Sequence, residues 1–179
     1  MKVIASWSGG KDGCFARHKA LAQGYEVSYL VNFIPREFRK VSFHGTRARL
    51  ISQQAKAIGI PLAQYTVPPD MTLYEQIFKK AVSSLKRKGI EGMVFGDIYL
   101  QEHRDWVERV CGELGIIPIE PLWGMATEHV LNDFIGANFE AVVVTVKGSI
   151  FDREWLGRRI RNSFLADIKH LAQEKELDI

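Results

Sequence analysis

Val3-Ile4-Ala5-Ser6-Trp7-Ser8-Gly9-Gly10-Lys11-Asp12-Gly13 is the stretch whose reading decides the fold. Three apolar residues of strand character run into two glycines, and a helical pattern opens straight after them. A strand that turns tightly into a helix makes a phosphate cradle from backbone. Glycine lets the main chain come close to a ligand, and successive N–H groups at a helix start carry partial positive charge. Ser8 adds a hydroxyl donor and Lys11 a full charge. The spacing is neither G-x-x-x-x-G-K-[ST] nor G-x-G-x-x-G, which excludes the two commonest nucleotide loops.

Outward from that junction, strands are predicted near 2–7, 26–34, 62–67, 91–96, 116–119 and 140–146. Helices are predicted near 12–23, 46–58, 72–88, 101–114 and 127–136, with a helical tail from about 153 to 175. Such alternation calls for an α/β fold: a doubly wound, mainly parallel sheet of five to six strands with helices on both faces. Gly24, Gly59, Gly89 and Gly115 each follow a helical pattern and precede an apolar run, where a left-handed helix cap suits glycine. No repeat or linker divides the chain. The expected organisation is a nucleotide-binding domain over 1–150 and a helical extension over 151–179.

At 179 residues, 46% hydrophobic and 25% charged, the chain is long enough for one well-buried core. A formal charge of +3 without a run of Lys or Arg does not supply the basic stripe of a dedicated nucleic-acid binder. Cys14 and Cys111 lie far apart and outside any C-x-x-C spacing, so reduced thiols are expected rather than a disulfide. The apolar stripe Val107, Val110, Cys111 and Leu114 makes Cys111 a buried structural thiol. A signal-peptide core and a membrane-length apolar run are both absent, which leads to the expectation of a cytoplasmic protein without membrane contact.

In an open parallel sheet, ligands bind beyond the carboxyl ends of the strands. The segments that follow the predicted strands are rich in polar residues. They are the Ser-Gly-Gly-Lys-Asp loop, then Arg36, Arg39, Lys40, His44, Arg47 and Arg49, then Gly96-Asp97-Ile98, and finally Glu120-Pro121-Leu122-Trp123-Gly124. Asp12 either caps the helix that starts beside it or shares the cation carried by a nucleotide, since Mg²⁺ commonly bridges a carboxylate and phosphate oxygens. Asp97 is a site residue or a turn aspartate. Arg104 and Glu108, spaced i, i+4, make a surface ion pair or leave the guanidinium to orient an anion. Trp123 walls a pocket or covers core, and His44 touches a ligand or is a surface histidine. The basic residues at 36–49 suit an acidic partner or a solvated loop.

Several separated segments together resemble the diphthine–ammonia ligase family of N-type ATP pyrophosphatases, the PP-loop group. They are Ser6-Trp7-Ser8-Gly9-Gly10-Lys11-Asp12, Phe43-His44, Gly59-Ile60-Pro61-Leu62, and the run from Val94-Phe95-Gly96-Asp97-Ile98 through Arg104, Glu108, Cys111 and Leu114-Gly115 to Pro121-Leu122-Trp123-Gly124. The first loop indicates only the broader pyrophosphatase group; the run from Gly96 to Trp123 narrows it. The likeness spans residues 3 to about 165.

This resemblance implies a Rossmann-like fold of the HUP type that cleaves ATP between its α and β phosphates. A carboxylate would be activated as an acyl-adenylate, and ammonia would attack it. The acceptor in the family is diphthine on translation elongation factor 2. ATP and Mg²⁺ are the implied cofactors. Lys11, Asp97 and Arg104 become the catalytic candidates. Ser6, Ser8, Gly9, Gly10, Lys11, Asp12, Gly13, His44 and Gly96 become the nucleotide-binding ones, with Asp12 toward Mg²⁺. Two departures are visible: Gly13 stands where the loop normally ends in serine, and the family's acidic Gly-Glu-x-Gly-Glu segment and further β-rich portion have no counterpart before Ile179. A binding-only ATP or AMP module and a tRNA-modifying pyrophosphatase are the alternative readings. A homo-oligomer would let a neighbour complete the site.

Overall fold

The computed structural model describes residues 1–35 and 46–176. Five strands, β1 (Lys2–Ser6), β2 (Glu26–Pro35), β3 (Leu62–Val67), β4 (Gly92–Val94) and β5 (Ile117–Ile119), form one sheet in the order β3-β2-β1-β4-β5. Every pairing is parallel. Between the strands run α1 (Lys11–Ala22), α2 (Ala48–Ile58), α3 (Met71–Lys86) and α4 (Gln101–Leu114). The chain steps outward from β1 to β3, then returns to β4 and leaves the other way. Right-handed crossovers therefore lay α1 and α2 on one face of the sheet and α3 and α4 on the other.

Alternation along the strands explains why both faces are apolar. Ile4, Val31, Phe33 and Met93 are buried in a single cluster with Phe78, Val82, Val107 and Cys111 of α3 and α4. Their sequence neighbours Val3, Ala5, Leu30 and Val94 are as deeply buried and face the opposite layer. An aromatic group joins α3, α4 and the edge of the sheet: Phe78 and Trp106 meet edge to face at 5.0 Å, and Phe33 stacks on Tyr65 at 5.6 Å. The glycine caps form as expected, with left-handed φ of +77° at Gly59 and +61° at Gly115. Strand order reverses between β1 and β4, so the crevice for a ligand lies at their carboxyl ends.

Residues 124–179 form a second compact unit, separate from that of residues 1–123. It contains α5 (Thr127–Gly136), a 3-10 turn (Arg153–Trp155) and α6 (Asn162–Glu174) around Leu131, Trp155 and Phe164. Packing thus divides the chain at 123/124, whereas composition suggested 150; residues such as Ile135, Val143 and Val146 pack with Trp155 and Phe164. The strand expected at 140–146 does not join the parallel sheet. Its backbone pairs antiparallel with the segment around Arg159: the Val143 amide donates to the Arg158 carbonyl and the Ile160 amide to that of Ala141. The expected tail helix from 153 is also interrupted, because Gly157 takes φ +81° and ends the 3-10 turn before α6 begins.

Candidate functional site

At the carboxyl end of β1 the chain turns through Trp7-Ser8-Gly9-Gly10 into α1. Gly9 has φ +79°, and a methyl group there would lie 2.4 Å from Ile51 Cδ1 and 2.7 Å from Gln54 Oε1 of α2. The positive φ favours glycine here, and the Ile51 and Gln54 side-chain ends would have to shift to admit a larger residue. Gln54 also clamps the turn: its amide donates to the Gly9 carbonyl at 3.2 Å, and its carbonyl oxygen accepts from Trp7 Nε1 at 3.2 Å. Asn32, 2% exposed on β2, donates to the Trp7 carbonyl at 2.7 Å and accepts from Gln64 at 3.3 Å.

The first helix has Gly10 as its N-cap and no side-chain cap. The Gly10 amide donates to Ser8 Oγ at 3.3 Å. Asp12 is not the cap that its position suggested: it sits within the first turn, and its carboxylate is paired with Lys11 Nζ at 2.5 Å. This leaves the amides of the first turn to an anion, with Lys11 and Ser8 beside them. Among the described residues no three His, Cys, Asp or Glu side chains converge as a metal-binding group.

The end of β4 closes against this turn. A Cβ on Gly96 would stand 2.7 Å from the Gly13 amide nitrogen and 2.8 Å from the Asp12 carbonyl carbon. Gly13 is itself tight: a Cβ would meet the Ser6 carbonyl oxygen at 3.3 Å, which gives a physical reason for glycine where a serine was expected. Ser6, Gly9, Gly10, Lys11, Asp12, Gly13 and Gly96 are thus gathered where the strand order reverses, in a turn where Gly96 packs so closely on the start of α1 that a side chain there would strike its backbone.

A second group of charges follows β4 and β5. Asp97 Oδ1 meets His103 Nδ1 at 2.8 Å, and the His103 ring stacks on Trp106 at 5.7 Å. Asp97 holds the His103 pKa above its usual value by this hydrogen bond, against the opposing effect of burial. Arg104 Nε donates to Glu108 at 2.8 Å and lies 3.6 Å from Glu120 Oε2, while the guanidinium covers the Trp123 ring at 4.5 Å. Arg104 thus forms the i, i+4 pair, and it also stands over Trp123. The Glu120 side chain is 8% exposed, its Oε1 has no hydrogen-bond partner, and burial pushes its pKa up. This arrangement can seat an anion at one end and exchange protons at the other.

The sequence did not single out Asn32, Gln54, His103 or Glu120. Asn32 had a local signal, a lone amide within Tyr29-Leu30-Val31-Asn32-Phe33-Ile34, and Glu120 directly follows an apolar strand. Cys111 is buried as expected, and its thiol is pushed up to about 12 by desolvation, which suits a structural role. His44, Arg36, Arg39 and Lys40 lie outside the described residues. Among the described residues no helix is long and apolar enough to cross a membrane.

Comparison with known proteins adds an independent line. The profile of the diphthamide synthase N-terminal domain matches residues 1–118, and that of the diphthamide synthase C-terminal domain matches residues 126–179. The diphthine–ammonia ligases of Rattus norvegicus and Homo sapiens are each 27% identical to the chain, over 165 and 170 residues. Each alignment covers 82% of this chain and 62% of the relative, so the chain spans about three-fifths of their length. A solved structure described as a predicted subunit of tRNA methyltransferase from Methanocaldococcus jannaschii DSM aligns with 16% identity and a TM-score of 0.49, covering 99% of this chain and 89% of that one.

Proposed function

Because the chain belongs to the diphthamide synthase family, we propose that it uses ATP to activate a carboxylate and joins ammonia to it as an amide, releasing AMP and pyrophosphate. The acceptor in this reading is diphthine on translation elongation factor 2, and the reaction takes place in the cytoplasm. The observation that carries it is the tight glycine turn from β1 into α1, backed by Gly96; the first-turn amides of α1 have no side-chain cap and form the proposed cradle at the reversal of strand order.

The phosphates lie across the amides of the first turn of α1, with Ser8 donating and Lys11 supplying charge to the departing pyrophosphate. Positioning and electrostatics of this kind supply most of the acceleration in such a transfer, so no nucleophilic side chain is needed. Asp12 would help hold Mg²⁺ carried with ATP, which would neutralise phosphate charge. Lys11 must then leave the Asp12 pair for the phosphates, an exchange of one anion for another. In this reading Arg104, stacked over the Trp123 ring, and Asp97 serve the acceptor end. His44 completes the nucleotide site in this reading.

The test is pyrophosphate release from ATP and Mg²⁺, with ammonium and diphthine-bearing elongation factor 2 present, alongside calorimetric titration with ATP. Release that depends on ammonium and acceptor is expected. ATP binding without release under any of these conditions would reduce the chain to a binding module, and failure to bind ATP would overturn the assignment of the cradle.

A further inference from the structure

We propose that His103, oriented by Asp97, is the proton acceptor that converts ammonium to the attacking ammonia. This deepens the ligase reading above and rests on it. The geometry is that of a carboxylate–imidazole pair: Asp97 Oδ1 lies 2.8 Å from His103 Nδ1. A neutral ring whose Nδ1–H donates to Asp97 carries its lone pair on Nε2, so the carboxylate fixes which nitrogen can accept a proton. Stacking on Trp106, with ring planes 18° apart, holds the orientation from a second side.

Placement connects the pair to the reaction. Asp97 follows Gly96, whose backbone is pressed against Asp12 and Gly13 at the start of α1. The dyad therefore borders the phosphate cradle. The charged groups that face His103 are Asp97, from the segment after β4, and Glu120, from the end of β5. On α3, Glu75 faces the other side of Trp106, accepting from its indole Nε1 at 2.9 Å. Asp97 and Glu120 are anionic partners for a small cation, and Glu120 brings a nine-tenths buried carboxylate with one oxygen unpartnered. Arg104, paired with Glu108, keeps this corner from accumulating unbalanced negative charge.

In the proposed step, ammonium gives one proton to His103 Nε2. The freed nitrogen lone pair attacks the acyl carbon, forming the C–N bond, and the bond from that carbon to the phosphate oxygen breaks with its electron pair on AMP. The remaining excess proton on nitrogen leaves to solvent, and His103 returns its own proton there. No redox partner is involved.

Hydroxylamine separates this role from a structural one, because it is uncharged near neutral pH and attacks an acyl-adenylate without first losing a proton. With diphthine-bearing elongation factor 2, ATP and Mg²⁺, His103→Gln should lose about 100-fold or more of its ammonium-dependent amide formation. Hydroxamate formation from hydroxylamine should change by no more than a few-fold. The pH profile supplies a second readout. Asp97 raises the His103 pKa above 6.5, so the wild-type rate with ammonium rises as pH climbs through that raised value. Asp97→Asn removes the cause and should move the rising limb to lower pH. Equal loss with both nucleophiles, or an unmoved limb, overturns the proposal while the ligase reading stands. A wild-type chain that forms neither amide nor hydroxamate overturns the ligase reading, and the proton acceptor with it.

Discussion

Gly9 and Gly96 differ in what a methyl group would strike, and that difference sets two expectations. At Gly9 the obstructing atoms are the ends of Ile51 and Gln54, which can swing aside, so Gly9→Ala retains mainly the strain of φ +79°. A cost of about 1–3 kcal/mol is expected from urea denaturation. At Gly96 the obstruction is backbone of Asp12 and Gly13. Gly96→Ala must therefore displace the first turn of α1, and it should weaken ATP binding in calorimetry more than Gly9→Ala does. Lys11→Ala removes a charge-assisted contact to phosphate and should weaken ATP binding by about 10–100-fold, corresponding to roughly 1.5–3 kcal/mol. The glycine turn at Gly9 and Gly10 was legible in the sequence because its signal is local. Gln54 and Asn32 were not, since they reach across 45 and 25 residues to the same turn and no spacing rule connects them to it. Asp12 lies in the first turn of α1, but the cap role went to Gly10 once the helix began at Lys11.

Between α3 and α4, charge holds together what the aromatic cluster brings into contact. Glu75 accepts two bonds from Arg109, at 2.6 and 3.0 Å, one from Lys79 at 2.6 Å and one from Trp106 at 2.9 Å. Arg109 first, then Lys79, holds its carboxyl at about 2 instead of the usual 4.5. A depressed carboxyl contributes stability that is fully present above its unfolded pKa and lost as pH falls through its folded one. Glu75→Gln should therefore flatten the stability curve between about pH 4.5 and 2, as read by denaturation at stepped pH, and leave it parallel to wild type above that window. The elements themselves were well legible where two signals agreed. In α2 and α4, apolar periodicity ended at a glycine that takes the left-handed cap. Residues 140–146 carried one signal only, a β-branched run. It reported extended backbone correctly but could not report the partner, which is the antiparallel segment near Arg159.

On the scale of the whole chain, two cores serve two units. Phe164, 7% exposed, packs with Trp155 and Leu131 in the second. Phe164→Ala should cost that unit about 3–5 kcal/mol, seen as hydrogen exchange that accelerates in residues 124–176 while the strands of the first unit keep their protection. Composition could not reveal the boundary at 123/124, because neither a Pro- or Gly-rich linker nor a charge run marks it; only the packing of Ile135, Val143 and Phe151 on Trp155 does. The bond from Trp7 to Gln54 has an optical consequence. The indole is 2% exposed and shares its partner amide with the Gly9 carbonyl, so any anion that rotates the Gly9 peptide also alters the field around a buried fluorophore. Titration with ATP should therefore change the Trp7 contribution to the intrinsic fluorescence, a readout that needs no added label.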